Sequence, residues 1–165
     1  MAVRKILQYP HPVLKTPAAE VVAVDKHAER IIRDLIDTMA ASPGVAIAAP
    51  QIGEPWRIIV CDVSRKIKEK HHGRIVLINP VIRHRETRKV FREGCLSVPD
   101  YTGNVNRFEK VWVEGLDSEG RPVSLVAEGF EALALQHEAD HLDGMLFLDR
   151  IASLNTDLFR RRSPG

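Results

Sequence analysis

The chain has 165 residues, a net charge of +2 and an apolar fraction of 44%. This composition is typical of one folded domain and excludes a collagen-like, globally disordered or disulfide-rich chain. The near-balance of charge gives no electrostatic reason to expect sequence-specific binding to nucleic acid or attraction to an anionic membrane. No segment resembles a membrane span or a signal peptide, so we expect a single domain over residues 1–165 in the cytoplasm.

The first long helix is predicted after a proline-rich entry segment. Asp25 is a candidate N-cap, and apolar residues follow it at helical spacing, namely Ile31, Ile32, Leu35, Ile36 and Met39. The sequence Ser42-Pro43-Gly44 ends this helix. Strands are predicted over 56–63 and 75–78, with a solvated basic loop at 64–74 between them.

The second half of the chain is predicted to contain more strands and a last helix. Further β structure is expected over 81–92 and 105–127, followed by a helical pattern from Phe130 to Leu142. The order helix, many strands, helix favours an α+β fold, with mixed or antiparallel sheets packed around the C-terminal helix. A flexible basic tail is predicted over residues 160–165.

A short pattern in the last helix predicts a metal site. Residues 137–141 read His-Glu-Ala-Asp-His, which fits H-E-x-x-H. Residues four apart share one helix face, so His137 and His141 can both reach one cation. Glu138 can then accept a proton from bound water. The pattern alone leaves open a helix whose two histidines are purely structural.

A catalytic site of this kind needs a third protein ligand. Neither a His nor a Glu follows His141, so the downstream candidates are Asp143 and Asp149. Upstream, Cys95 follows Gly94 in the sequence Glu-Gly-Cys-Leu-Ser, and a cysteine with two histidines forms a tetrahedral site with one position left for water. The alternative for Cys95 is a buried, inert thiol, which suits Cys61 better because Cys61 lies in an apolar predicted strand.

Three short motifs occur in order along the chain: residues 44–51 read GVAIAAPQ, residues 93–97 read EGCLS and residues 136–141 read QHEADH. Together they resemble the motifs of the peptide deformylase family. The resemblance covers nearly the whole chain. It implies a metal-dependent amide hydrolase that removes the formyl group from the N-terminal formylmethionine of nascent polypeptides. It also implies Fe²⁺ as the metal, with Zn²⁺, Ni²⁺ or Co²⁺ as substitutes, whereas ligand type alone suggests zinc.

The resemblance implies a role for each matching residue. The metal would be bound by Cys95, His137 and His141. Glu138 would take a proton from water and pass it to the leaving amine. Gln51, through its side-chain amide, and Leu96, through its backbone N–H, would hold the developing oxyanion. Glu93 resembles a residue that orients a histidine ligand, and Arg107 and Asp140 resemble a salt bridge between the metal helix and the sheet.

Substrate contacts are implied in the same way. The peptide would bind as an added strand beside Gly44, Val45 and Ala46. A methionine pocket would be lined by four residues that could equally be ordinary core, Phe91, Phe130, Leu133 and Ala134. Ala46 departs from the family pattern, which has glycine there. Alanine would cost about 1 kcal/mol or more if φ were positive, and would narrow the cleft if φ were negative.

Two other functions compete with deformylation. The first is a zincin-like metallopeptidase that cleaves internal peptide bonds, and the second is a metal-stabilised binding module. The expected partners are N-formylmethionyl nascent peptides. The run Arg160-Arg161-Arg162 could also contact the ribosome near the exit tunnel, although a solvated tail is the simpler interpretation of that run.

Overall fold

The computed structural model describes residues 2–161 and has an α+β fold with one antiparallel sheet. Its six strands are β1 (Ala46–Ala48), β2 (Ile58–Cys61), β3 (Ile75–Cys95), β4 (Val98–Leu116), β5 (Pro122–Glu128) and β6 (Leu158–Arg160). The order in the sheet is β1-β2-β3-β4-β5, and β6 pairs with β4. The helices are α1 (Lys26–Ala40), α2 (Gly129–Leu142) and the short α3 (Leu154–Asp157). The predicted α+β class is confirmed, and every pair of these strands is antiparallel.

Helix α1 packs by its apolar face on one side of the sheet. The Asp25 side chain accepts a hydrogen bond from the Ala28 N–H at 3.0 Å, which satisfies one free donor at the helix start. The apolar residues of α1 are buried against strand residues such as Ile47, Ile58 and Val60. No helix among residues 2–161 combines the length and apolar character needed to cross a bilayer.

Helix α2 packs on the opposite side of the sheet. Side chains alternate along a strand, so Ile59 and Cys61 of β2 face α2 while Ile58 and Val60 face α1. All four residues are buried, as expected for a strand covered on both faces. The second helix is buried over most of its surface, including its polar residues.

Strand β3 continues through Pro80, which lies between the predicted strands over 75–78 and 81–92. Ile75–Cys95 is one strand in place of two, and its register with β4 shifts between Ile78 and Val81. Asn79 has φ of 52° at this bulge, and its side chain hydrogen-bonds the Val21 N–H and C=O at 2.9 Å each. A bulge leaves a residue unpaired, so the missing N–H of Pro80 costs no ladder bond.

The C-terminal residues differ from the predicted tail. Arg160 lies in β6, where it pairs with Tyr101 of β4, and the Arg161 N–H donates to the Asp100 carbonyl at 2.7 Å. Leu158 and Phe159, which come directly before the arginines, favour this strand pairing. Arg162 and the rest of the predicted tail lie outside the described residues.

Candidate metal centre

A sulfur and two imidazole nitrogens converge where α2 passes the turn between β3 and β4. Sγ of Cys95 lies 3.4 Å from Nε2 of His141, which lies 3.2 Å from Nε2 of His137. The three ligand atoms lie within 4.8 Å of one another, and all three residues are buried. Helix α2 supplies both histidines because residues four apart project from one side of a helix.

The separations of 3.4 and 3.2 Å from Nε2 of His141 fit a single tetrahedral cation. Sulfur at about 2.3 Å and nitrogen at about 2.0–2.1 Å from a zinc-like ion give ligand-to-ligand edges of about 3.3–3.6 Å. The donors can therefore hold one metal ion with little movement, which leaves a fourth position for water or substrate. The two downstream carboxylates are engaged elsewhere, since Asp143 pairs with Arg57 and Asp149 with Lys15.

Burial and hydrogen bonding set the orientation and the protonation of the two imidazole rings. Nδ1 of His137 lies 2.8 Å from Oε1 of Glu93, so its Nε2 is turned toward the cluster. Burial lowers the pKa of His141 well below its usual range, which keeps that ring neutral, as a metal ligand must be. Burial also opposes charge on His137, but Cys95 and Glu93 outweigh it and raise the pKa of that ring.

Two arginines neutralise the buried carboxylates beside the ligands. Arg107 donates to both oxygens of Glu93 at 2.6 and 2.9 Å, and to Asp140 at 2.6 Å. Arg150 donates to the two oxygens of Asp140 at 2.5 and 2.8 Å. Burial alone would raise the pKa of Glu93, but hydrogen bonds with Arg107 and His137 lower it to about 2. These contacts join α2 to β3, β4 and the segment after α2.

Glu138 lies beside the ligands but outside this network. Its Oε2 is 4.0 Å from Nε2 of His137, and no hydrogen-bond partner for its buried Oε1 occurs within residues 2–161. Burial is the main cause that raises the pKa of Glu138 to about 7. A carboxyl group with this pKa can take up and release a proton near neutral pH.

Gln51 lies across from the histidines with its amide fixed at both ends. Its Oε1 accepts from the Ala48 N–H at 2.9 Å, and its Nε2 donates to Oγ of Ser97 at 3.1 Å. The same nitrogen is 3.9 Å from Sγ of Cys95. Leu96 follows that cysteine in the turn between β3 and β4. An amide NH₂ group and a turn backbone therefore border the ligand cluster.

The cluster opens into a cavity of about 420 Å³. Six of the seven residues predicted to contact substrate line it, namely Gly44, Val45, Ala46, Phe130, Leu133 and Ala134. The seventh, Phe91, is not among its lining residues, and the Lys89 ammonium lies 5.4 Å from the centre of its ring. Phe91 lies two residues before Glu93, or about 7 Å along β3.

The two small residues of the first motif have different constraints. A Cβ atom built on Gly44 would lie 2.8 Å from Cδ1 of Leu96, so a larger residue here would displace the Leu96 side chain. Ala46 is not among the residues with positive φ, which include Asn79 and Thr87. Its methyl group therefore causes no backbone strain and makes the cavity narrower at this wall.

Sequence reasoning missed two residues that support the centre. Arg150 was not singled out, because nothing in the spacing shows that the chain returns to Asp140 after α2. Gln136 is the first residue of the QHEADH motif, but the motif alone indicates no role for it. Its side chain bonds both backbone groups of Phe108, at 2.9 and 2.7 Å, and so links α2 to β4. A buried polar residue at a helix position facing a sheet was the available signal.

The fold and this centre together define a class of protein, an α+β protein with a Cys-His-His cluster that could hold a metal ion beside a buried glutamate. The particular family follows from comparison with known proteins. The family model for polypeptide deformylase matches residues 3–157. The chain belongs to this family.

Individual relatives agree with this assignment over nearly the whole chain. A peptide deformylase of Syntrophobacter fumaroxidans is 42% identical over 98% of this chain and 94% of its own length. The crystal structure of a Legionella pneumophila peptide deformylase has a TM-score of 0.85 and 43% identity, covering 93% of this chain and 88% of that chain. A Met-ala-ser bound peptide deformylase of Acinetobacter baumannii has a TM-score of 0.85 and 34% identity, covering 91% and 99%.

Membership in the family assigns the activity. The chain is a hydrolase that removes the formyl group from the N terminus of nascent peptides. A single metal ion belongs to this activity, and the cluster of Cys95, His137 and His141 fits one.

Proposed function

We propose that Cys95, His137 and His141 bind one divalent metal ion and that Glu138 carries the proton in hydrolysis of the formyl amide. The observation that carries this proposal is the buried Oε1 of Glu138, without a hydrogen-bond partner in the described part of the chain, beside three converging ligands. A buried, unpaired carboxyl group costs stability, and such groups cluster where chemistry needs them.

Proton transfer follows from the position and pKa of Glu138. When bound, a divalent cation lowers the pKa of water enough to supply hydroxide near neutral pH. Glu138 accepts the released proton at a carboxylate oxygen. With a pKa of about 7, the same group can then give that proton to the leaving amine. Glu93 holds the His137 ring in its ligating orientation throughout.

Charge on the formyl oxygen is held by neutral donors. The Gln51 amide is kept in place by Ala48 and Ser97, so its NH₂ group loses little freedom when it donates to substrate. The Leu96 backbone N–H is the second donor. Each donor aimed at a developing oxyanion contributes about 3–4 kcal/mol to transition-state stabilisation.

The peptide part of the substrate binds along β1. This strand ends the sheet order, since β2 is its one partner among the described strands, so a free edge can accept an extended chain. Such pairing reads backbone and tolerates varied residues after methionine. The methionine side chain occupies the apolar part of the cavity at Phe130, Leu133 and Ala134. The relative from Acinetobacter baumannii is bound to Met-ala-ser, which supports a peptide that begins with methionine as the ligand.

The physiological metal is proposed to be Fe²⁺, with Zn²⁺, Ni²⁺ or Co²⁺ as active substitutes. The family resemblance supports iron, although a sulfur and two imidazoles also suit zinc. The cytoplasm is the expected location, because nascent peptides are made there. Contact with the ribosome through the Arg160–Arg162 run also stays a proposal.

Metal analysis combined with an assay on formyl-Met-Ala-Ser tests the proposal. The protein purified without oxygen should contain one metal ion per chain and release formate. Glu138→Gln should keep the metal and lower kcat by about 10²–10⁴-fold. The matched control is Glu20→Gln at an exposed glutamate, which should keep full activity. Unchanged turnover in Glu138→Gln would remove the assigned role.

The metallopeptidase alternative has a separate test. Family membership and the engagement of Asp143 and Asp149 with basic side chains both argue against it. Cleavage of casein or of an acetyl-capped peptide at internal bonds, at rates comparable to formate release, would restore it.

A further inference from the structure

Both walls of the cavity carry basic residues at the mouth. Lys66 lies on the side of Gly44, just after the Val63–Arg65 turn, whereas Arg92 and Arg161 lie on the side of Gly94. We call these three cations, Lys66, Arg92 and Arg161, the basic rim. The carboxylates that line the same cavity are Glu93 and Glu138, and both are buried at 3% exposure.

The basic rim carries charge that the described chain does not neutralise. None of its three residues takes part in an ion pair within residues 2–161. Glu93 is already neutralised by Arg107, so it offers the rim little compensation. The rim therefore presents a positive potential to whatever enters the cavity.

Two of the rim residues are held in place. Nε of Arg92 donates to Asn104 at 3.1 Å, and its guanidinium lies 3.6 Å from the centre of the Phe159 ring. Arg161 directly follows strand β6, which contains Phe159, and lines the cavity. The Arg161 guanidinium lies over Gly94, where a Cβ atom would collide with its Nη2. Stacking and a hydrogen bond thus orient the Arg92 guanidinium, and the backbone bond between Arg161 and Asp100 places the Arg161 side chain over Gly94.

The position of the rim defines which part of a peptide it meets. Arg92 lies three residues from Cys95 along β3, which corresponds to about 10 Å of extended chain. A substrate whose formyl group lies at the metal ligands reaches the same distance with its third and fourth residues. Those side chains would lie between the walls that hold the rim.

We infer that the basic rim makes the enzyme favour formylated peptides with Asp or Glu at the third and fourth residues. The inference rests on the proposed use of the cavity as the peptide site. The ligand is an acidic peptide segment, recognised by charge and by bidentate contacts from the two guanidinium groups. The rim adds specificity to a site whose backbone pairing tolerates any sequence.

Three amidated peptides test the inference, because amidation removes the C-terminal carboxylate. They are formyl-Met-Ala followed by Asp-Asp, Asn-Asn or Lys-Lys. We expect kcat/KM for the Asp-Asp peptide to exceed that for Lys-Lys by roughly tenfold at low salt, since exposed charge pairs contribute modestly each. The ratio should fall several-fold at about 0.5 M salt, where screening is strong.

Variants assign the effect to the rim. Arg92→Gln and Arg161→Gln should each lower the Asp-Asp to Lys-Lys ratio by about two- to fivefold, and the double variant should bring it near one. Arg92→Lys keeps the charge and should retain most of the preference. The control is Arg85→Gln, an exposed arginine of β3 that does not line the cavity, and it should leave the ratio unchanged.

The outcomes separate this inference from the proposed function. Equal kcat/KM on all three peptides would overturn the rim's role while leaving deformylation intact. The same holds if the arginine variants lose binding to a ribosomal RNA fragment but keep the peptide ratio. Failure to release formate from any of the peptides would instead count against the proposed function.

Discussion

The two long helices cover opposite faces of one sheet but are stabilised differently. Helix α1 is amphipathic, with apolar residues such as Leu35 fully buried, and its two buried polar residues, Asp34 and Thr38, both accept hydrogen bonds from Arg4. Helix α2 buries more polar residues, including Gln136, Glu138 and Asp140. Buried polar groups need partners or a function. The comparison shows that packing explains α1, whereas α2 is explained by a network that supports chemistry.

The largest effect is expected from removing a ligand on α2. His141→Ala should abolish metal binding and lower kcat/KM by at least about 10³-fold, because a two-ligand site loses affinity and geometry. Metal content and formate release measure this. The matched change is His27→Ala near the start of α1, whose exposed ring should be dispensable. Full metal content in His141→Ala would show that this histidine is not a ligand.

Breaking the arginine network should cost stability. Arg107→Met leaves Glu93 without its main partner and weakens the pairing of Asp140, which should lower the free energy of unfolding by about 3–5 kcal/mol. Urea denaturation measures it. Arg83→Met, at an exposed pair with Glu114, should change stability by less than about 1 kcal/mol. A loss of less than about 1 kcal/mol for Arg107→Met would mean that the arginine network does not stabilise the fold.

Truncation of a buried side chain of α1 should lower stability without lowering activity. Leu35→Ala should lower the free energy of unfolding by about 2–4 kcal/mol, because Leu35 is 0% exposed. The protein that remains folded should keep its kcat/KM, since no residue of α1 lines the cavity beside Cys95 and His137. Val22→Ala, at a side chain 98% exposed, is the control. A large drop in kcat/KM for Leu35→Ala would mean that the two faces of the sheet are coupled.

The smallest effect is expected at the α1 N-cap. Asp25→Ala removes the acceptor for the Ala28 N–H and should cost about 1 kcal/mol of unfolding free energy. Asp25→Asn keeps a cap acceptor and should recover most of it. Thermal unfolding of the three proteins checks this, and equal midpoints for all of them would show that the cap contributes nothing.

The two helices also differ in what sequence could predict. Helix α1 follows from periodicity and a cap, which are local signals. The strands were predicted with wrong limits where tertiary structure overrode a local signal, as at Pro80, which lies at a bulge inside β3. For α2, the H-E-x-x-H spacing indicated both histidines. The contact of Arg150 with Asp140, and the absence of Phe91 from the cavity lining, depend on how distant segments pack, which no single motif encodes.

The central claim is that one sulfur and two imidazole nitrogens share a metal ion that keeps an exchangeable position. X-ray absorption spectroscopy at the metal edge, on anaerobically purified protein, tests it most directly. We expect one sulfur at about 2.3 Å, two imidazole nitrogens at about 2.0–2.1 Å and one further light atom. The sulfur contribution should vanish in Cys95→Ser. A wild-type shell without sulfur, or one closed by a fourth protein ligand, would contradict the claim.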